Sequence, residues 1–186
     1  MGTATLVILG IVVVIVLAFV AKYNQLVSLR NRIENAWSQI DVQLRRRYDL
    51  IPNLIETVKG YAAHEKEVFE KVSEARSAMM NAQGAAAQGA AQNQITDALK
   101  SLFAVAEAYP QLKANENFMM LQEELSGTES KIAFARQFYN DQVMILNTLI
   151  QSFPTNMIAG MFGFKEHEYF QMEEAAREPI KVDFKQ

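Results

Sequence analysis

The sequence predicts an all-α protein: an N-terminal transmembrane helix that continues into a long antiparallel four-helix bundle or coiled coil. Three observations carry this. The first 21 residues contain no charged side chain. Apolar residues then recur in seven-residue series along two long stretches. With 8 Gly and 4 Pro in 186 residues, there are few helix breakers.

From Leu6 to Val20 the chain is almost entirely Leu, Ile, Val, Ala and Phe. A helix of that length spans about 30 Å, the thickness of bilayer hydrocarbon. Lys22 and Tyr23 follow as an interfacial pair. A removable signal peptide would have a basic leader, a shorter apolar run and a small-x-small site. None is present, so residues 1–22 are expected to stay as a single-pass anchor in a lipid bilayer. No cysteine follows the run, which excludes the usual bacterial lipid-modified N-terminus. Lys22, Arg30 and Arg32 flank the C-terminal side, and the positive-inside tendency then puts the domain in the cytoplasm and the N-terminus outside.

Residues 23–178 form the helical domain, and 179–186 a polar tail. Leu26, Ile33 and Ile40 occupy one seven-residue series. Trp37, Leu44, Ile51 and Val58 occupy the other. No Gly or Pro lies between Lys22 and Ile51, so the anchor is expected to run into this helix as a stiff stalk. Arg47 falls where the first series calls for an apolar residue. Pro52 removes a backbone donor, and Asp49 can cap a fresh helix, so 49–52 reads as a kink or a restart. Arg45, Arg46 and Arg47 are the strongest local charge feature. They suit a solvated face bridged to neighbouring carboxylates, or an acidic partner. Anionic lipid is a more distant fit.

His64 to Met80 gives a second helix with Val68, Phe69, Val72, Ala75 and Met79 on one side. Residues 81–93, rich in Ala, Gln and Gly, have no bulky anchor and read as an exposed, flexible connection, partly helical at most because Ala and Gln favour helix. Ile95, Leu99, Leu102 and Val105 mark a third helix, closed by Tyr109-Pro110. The fourth, 114–150, carries Phe118, Leu125, Ile132, Tyr139 and Leu146 in one series, with Asn115 and Asn117 as candidate caps. Beside that seam lie Glu129, Arg136, Asn140 and Asn147. An interhelix network with Arg46, Arg47, Asn53 or Glu56 would fix register. After Phe153-Pro154, the residues Met157, Ile158, Met161, Phe162 and Phe164 form an apolar patch, to which Tyr169, Phe170 and Met172 add. It caps the open end of the bundle, closes over the Pro52 region, or serves as an interface for self-association or a partner.

Composition excludes several functions. With 18 basic and 21 acidic residues the net charge is -3, unlike a nucleic-acid binder. There is no thiol chemistry, since cysteine is absent. His64 and His167 stand alone and complete no metal motif. Phosphate loops and nucleotide-binding fingerprints are missing. No catalysis and no cofactor are expected. An enzyme with a cleft of scattered residues is the remote alternative.

The stretch Ile40-Asp41-Val42-Gln43-Leu44-Arg45-Arg46-Arg47-Tyr48-Asp49-Leu50-Ile51-Pro52-Asn53-Leu54-Ile55-Glu56-Thr57-Val58-Lys59-Gly60-Tyr61 resembles the signature of the LemA family. So do Tyr109-Pro110-Gln111-Leu112-Lys113-Ala114-Asn115, the pair Tyr139-Asn140 with Asn147, and Phe153-Pro154. The resemblance covers nearly the whole chain. It implies a bacterial single-pass membrane protein with a long antiparallel helical bundle and no agreed activity. It also implies a loose link to membrane organisation, and in some relatives to membrane stress or a membrane-bound metalloprotease. The expected role is a membrane-anchored, self-associating scaffold or adaptor, hence a homo-oligomer with a possible membrane-protein partner. The alternative is a regulatory module whose ligand cavity is rimmed by Arg46, Asn53, Glu56, Arg136 or Asn140.

Overall fold

A computed structural model describes residues 2–170. The chain is all-α there: α1 Thr3–Lys59, α2 Lys66–Asn81, α3 Ala85–Glu107, α4 Pro110–Lys113, α5 Glu116–Gln151 and α6 Thr155–Phe162. An N-terminal apolar helix is thus joined to several helices that form a bundle. Two compact units divide the chain. Among the described residues, one holds 2–41 and 134–168, the other 42–133 and 169–170. The polar tail at 179–186, and Met172 of the apolar patch, lie outside the described residues.

In the first unit, the side chains from Leu6 to Leu17 are all exposed, and the most apolar 18-residue window has a mean hydropathy of 3.2 with none of it buried. Water does not tolerate so large an apolar surface, and bilayer hydrocarbon does. Burial begins beyond Tyr23. Leu26, Leu29, Ile33, Ala36 and Ile40 of α1 are buried, as are Tyr139, Val143 and Leu146 of α5. The Trp37 and Tyr139 rings lie 5.6 Å apart. The seven-residue series therefore mark the buried stripe in this unit.

The second unit buries Leu44, Ile51, Leu54 and Val58 of α1 and Phe118, Leu121, Leu125 and Ile132 of α5. Helices α2 and α3 pack on one another. Their inner faces are Phe69, Val72, Ala75 and Met79, and Ile95, Leu99 and Leu102. Asn115 caps α5 as expected: its Oδ1 accepts from the Phe118 amide at 3.0 Å. Its Nδ2 donates to the Tyr61 hydroxyl at 3.1 Å.

Two expectations are corrected. The restart at Asp49–Pro52 does not occur, because α1 runs unbroken through Pro52. A proline at position 52 cannot donate to the carbonyl four residues earlier, that of Tyr48. Arg76 of α2 supplies the missing donor, its Nε giving a hydrogen bond to the Tyr48 oxygen at 3.0 Å. The exposed connection expected over 81–93 shrinks to 82–84. From Ala85 onward the segment is helical, and Ala85, Gly89, Ala91 and Gln92 are buried. A lack of bulky side chains here permits close helix approach, so small residues take the place of an apolar anchor.

Candidate functional site

The arginine triplet in the second unit is split by burial. Arg45 and Arg46 are exposed, while Arg47 is only 1% exposed. This follows from the seven-residue series that brings Ile33 and Ile40 inward and continues at Leu54. Arg46 Nη2 donates to both Glu124 carboxylate oxygens, at 3.0 and 2.8 Å. Both side chains are about half exposed, so water screens the pair and it contributes little stability.

Arg47 has poorer company. Its Nη2 donates to Thr96 Oγ1 at 3.2 Å and lies 3.8 Å from Glu129 Oε2. Its Nε and Nη1 are buried without a protein hydrogen-bond partner. Burial lowers the pKa of this guanidinium from its ordinary value, and Glu129 partly opposes the shift. A hollow of about 230 Å³ adjoins it, lined also by Thr96, Lys100, Gln122, Ser126 and Glu129. A separate hollow of about 360 Å³ is lined by Arg46, Glu123, Glu124 and Lys131.

Of the other expected network members in this unit, Asn53 and Glu56 are exposed, as is Asp49, the expected cap. Glu56 lies 4.0 Å from Lys59 of its own helix. The Asn53 carbonyl accepts from the Thr57 hydroxyl. Glu129 is the expected partner that reaches Arg47. Glu124 and Thr96 were not singled out by sequence. Nothing in their spacing marks them, because pairing across helices depends on a register that only packing sets.

In the first unit the polar residues beside the seam hold the chain that follows α6. Asn147 grips His167 at both ends of its amide, donating to the carbonyl at 2.9 Å and accepting from the backbone N–H at 3.0 Å. The Tyr139 hydroxyl donates to the Glu168 carbonyl at 3.0 Å. Arg136 and Asn140 are half-buried and engaged with neighbours, and so is exposed Arg45 in the second unit. Pro154 stands at the N-terminus of α6, following a cis peptide bond from Phe153. Phe162 and Phe164 pack on Tyr23, with ring centroids 4.6 and 6.1 Å away. The Arg30 guanidinium sits 5.6 Å from the Phe164 ring.

Two features of this unit face outward. Phe134 and Phe138, one turn apart on α5, are 73% and 47% exposed. Phe138 borders a shallow hollow of about 590 Å³ whose other walls are α1 residues, among them Asn24, Ser28, Asn31, Asn35 and Gln39. Sequence patterning did not single out this stripe, because it lies outside the seven-residue series. The second feature is the outer face of α6. Among the described residues, no group of three or more His, Cys, Asp or Glu could hold a metal ion.

The LemA family model matches residues 36–184. The chain is 28% identical over 195 residues to magnetosome protein MamQ 2 of Paramagnetospirillum magneticum, covering 89% of this chain and 72% of that protein. It is 25% identical over 202 residues to magnetosome protein MamQ of Magnetospirillum gryphiswaldense, covering 92% and 74%. Protein LemA of Metamycoplasma hominis is 28% identical over 166 residues, covering 89% and 75%.

Proposed function

The chain belongs to the LemA family, and on that premise we propose that it is a membrane-anchored, self-associating helical scaffold or adaptor of the bacterial envelope, without catalysis. The carrying observation is the exposed Phe134 and Phe138 pair beside an Asn- and Ser-lined hollow on α1. Aromatic side chains with adaptable amides around them suit a protein interface. The occupant is a second copy. Copies held in one membrane share a high effective concentration, so a modest interface suffices. The uninterrupted passage of α1 from its apolar stretch into its buried stretch supports a domain held stiffly at the bilayer. Lys22, Arg30 and Arg32 support a cytoplasmic domain. The magnetosome names of the MamQ relatives support a part in a cellular structure.

The test is the mass of the full chain extracted in native lipid discs. More than one copy per disc is expected, with Phe134→Ser/Phe138→Ser returning it to one. A strict monomer at high concentration would remove the self-association. A regulatory ligand-binding module acting on a membrane protein is the second reading. It is favoured by the hollow against buried Arg47.

A further inference from the structure

Between Gln142 and Phe164 the chain carries no charged residue. Helix α6 lies at the end of that stretch. Thr155, Ile158 and Ala159 are buried and fix its inner face. Its outer face shows Met157 and Met161, 62% and 72% exposed, with Phe153 just before the helix at 80%. Phe162 is half exposed beside them. Contiguous large apolar side chains on a surface mark something that covers them.

The position of α6 identifies that cover. The Phe162 ring lies 6.1 Å from Phe19 and 4.6 Å from Tyr23. Phe19 belongs to the last turn of the uncharged run, and Tyr23 follows Lys22 directly. The helix is therefore held at the level where α1 gives way from apolar to polar. Cations follow from there: Lys22 at once, then Arg30, about 12 Å further along α1, against Phe164. An apolar band, an aromatic band and then basic residues follow the order of a bilayer from hydrocarbon to phosphate.

We propose that α6 is a second membrane contact, lying in the headgroup–acyl boundary of the leaflet from which α1 emerges. Phe153, Met157, Met161 and Phe162 sit in lipid, as the apolar face of an interfacial helix does. The proposal rests on the reading of α1 as a bilayer span. Phe162 at the end of α6 adjoins Phe19 at the end of that uncovered span, which makes lipid, and not a second copy, the occupant. A span joined sideways to an interfacial helix is fixed in depth and in rotation about its axis.

The chain has no cysteine, so each single-cysteine variant carries one label. Full-length Met157→Cys and Met161→Cys, labelled with an environment-sensitive fluorophore, are reconstituted into phosphatidylcholine vesicles containing headgroup-depth nitroxide lipid. Quenching of about twofold or more is expected at both positions. A label at Ser38→Cys, exposed and roughly 25 Å further along α1 than Ala21, stays bright. Val13→Cys with a deep nitroxide reports the span alone. A quenched Val13→Cys label with bright labels at 157 and 161 overturns the interfacial helix and leaves the anchor standing. Bright labels at all three sites overturn both. A blue-shifted emission at 157 and 161 without lipid quenching assigns the face to protein and also overturns the proposal.

Discussion

Replacing Arg76 should matter only because residue 52 is a proline. Pro52 leaves the Tyr48 carbonyl without its helical donor, and Arg76 Nε occupies that acceptor at 3.0 Å. Arg76→Met keeps most of the side-chain stem and removes the charged donor. Hydrogen bonds from charged groups contribute about 1.5–3 kcal/mol, and Arg76 is half-buried, so a loss of about 2 kcal/mol is expected. For a chain of this size that is a fall in Tm of about 4–8 °C. In a Pro52→Ala background the amide of residue 52 can bond to Tyr48, and the same Arg76→Met change should cost below about 0.5 kcal/mol. The four proteins are compared by helical ellipticity on heating, in one detergent and at one concentration. The coupling between the two sites, about 1.5 kcal/mol, is the predicted quantity. Equal losses in the two backgrounds would refute the reasoning and show that Arg76 acts through packing alone.

Two further outcomes follow from buried polar groups. Arg47→Met removes a desolvated charge at nearly constant volume, so the variant should equal or exceed the parent by up to about 2 kcal/mol. Arg47→Ala should fall by about 2–4 kcal/mol through the cavity it leaves; equal losses in thermal unfolding would show that the charge itself is needed. At Tyr139, burial first and Glu168 second raise the phenol above its ordinary value. Between the unfolded value near 10 and the raised folded value, the native state keeps a proton that the unfolded chain has lost. Stability should therefore fall as pH rises above about 10. Tyr139→Phe should flatten that slope while costing about 1 kcal/mol, read from unfolding midpoints at about pH 9 and about pH 11.

The buried seams were legible because a period of seven is a property of one helix read alone. Leu26, Ile33, Ile40 and Leu54 keep that period, and Phe118 to Leu146 keep it on α5. Arg47 was legible as an anomaly in the same way, though its partner Thr96 was not, since α3 is remote in sequence. The 81–93 stretch misled because burial was sought in large side chains. Ala85, Gly89 and Ala91 are buried by the closeness of their neighbours, which a single sequence does not display. The break at Pro52 misled for a related reason: the rule for proline holds within one helix, and the donor that offsets it comes from another. The Asn147 grip on His167 was legible only as a polar residue beside a seam. Its target is backbone, which carries no mark in the sequence.

A proline inside a helix is usually counted as damage. Here it also acts as an address. Every other carbonyl in the interior of α1 faces an amide four residues on, and these carbonyls are alike to a neighbour sliding past. Tyr48 alone lacks that amide, because residue 52 is a proline. Moving α2 by one turn would set Arg76 against carbonyls that already hold an amide and leave Tyr48 with no donor. Two stretches of similar seams, each able to settle in several alignments, are thereby told apart by a single missing hydrogen.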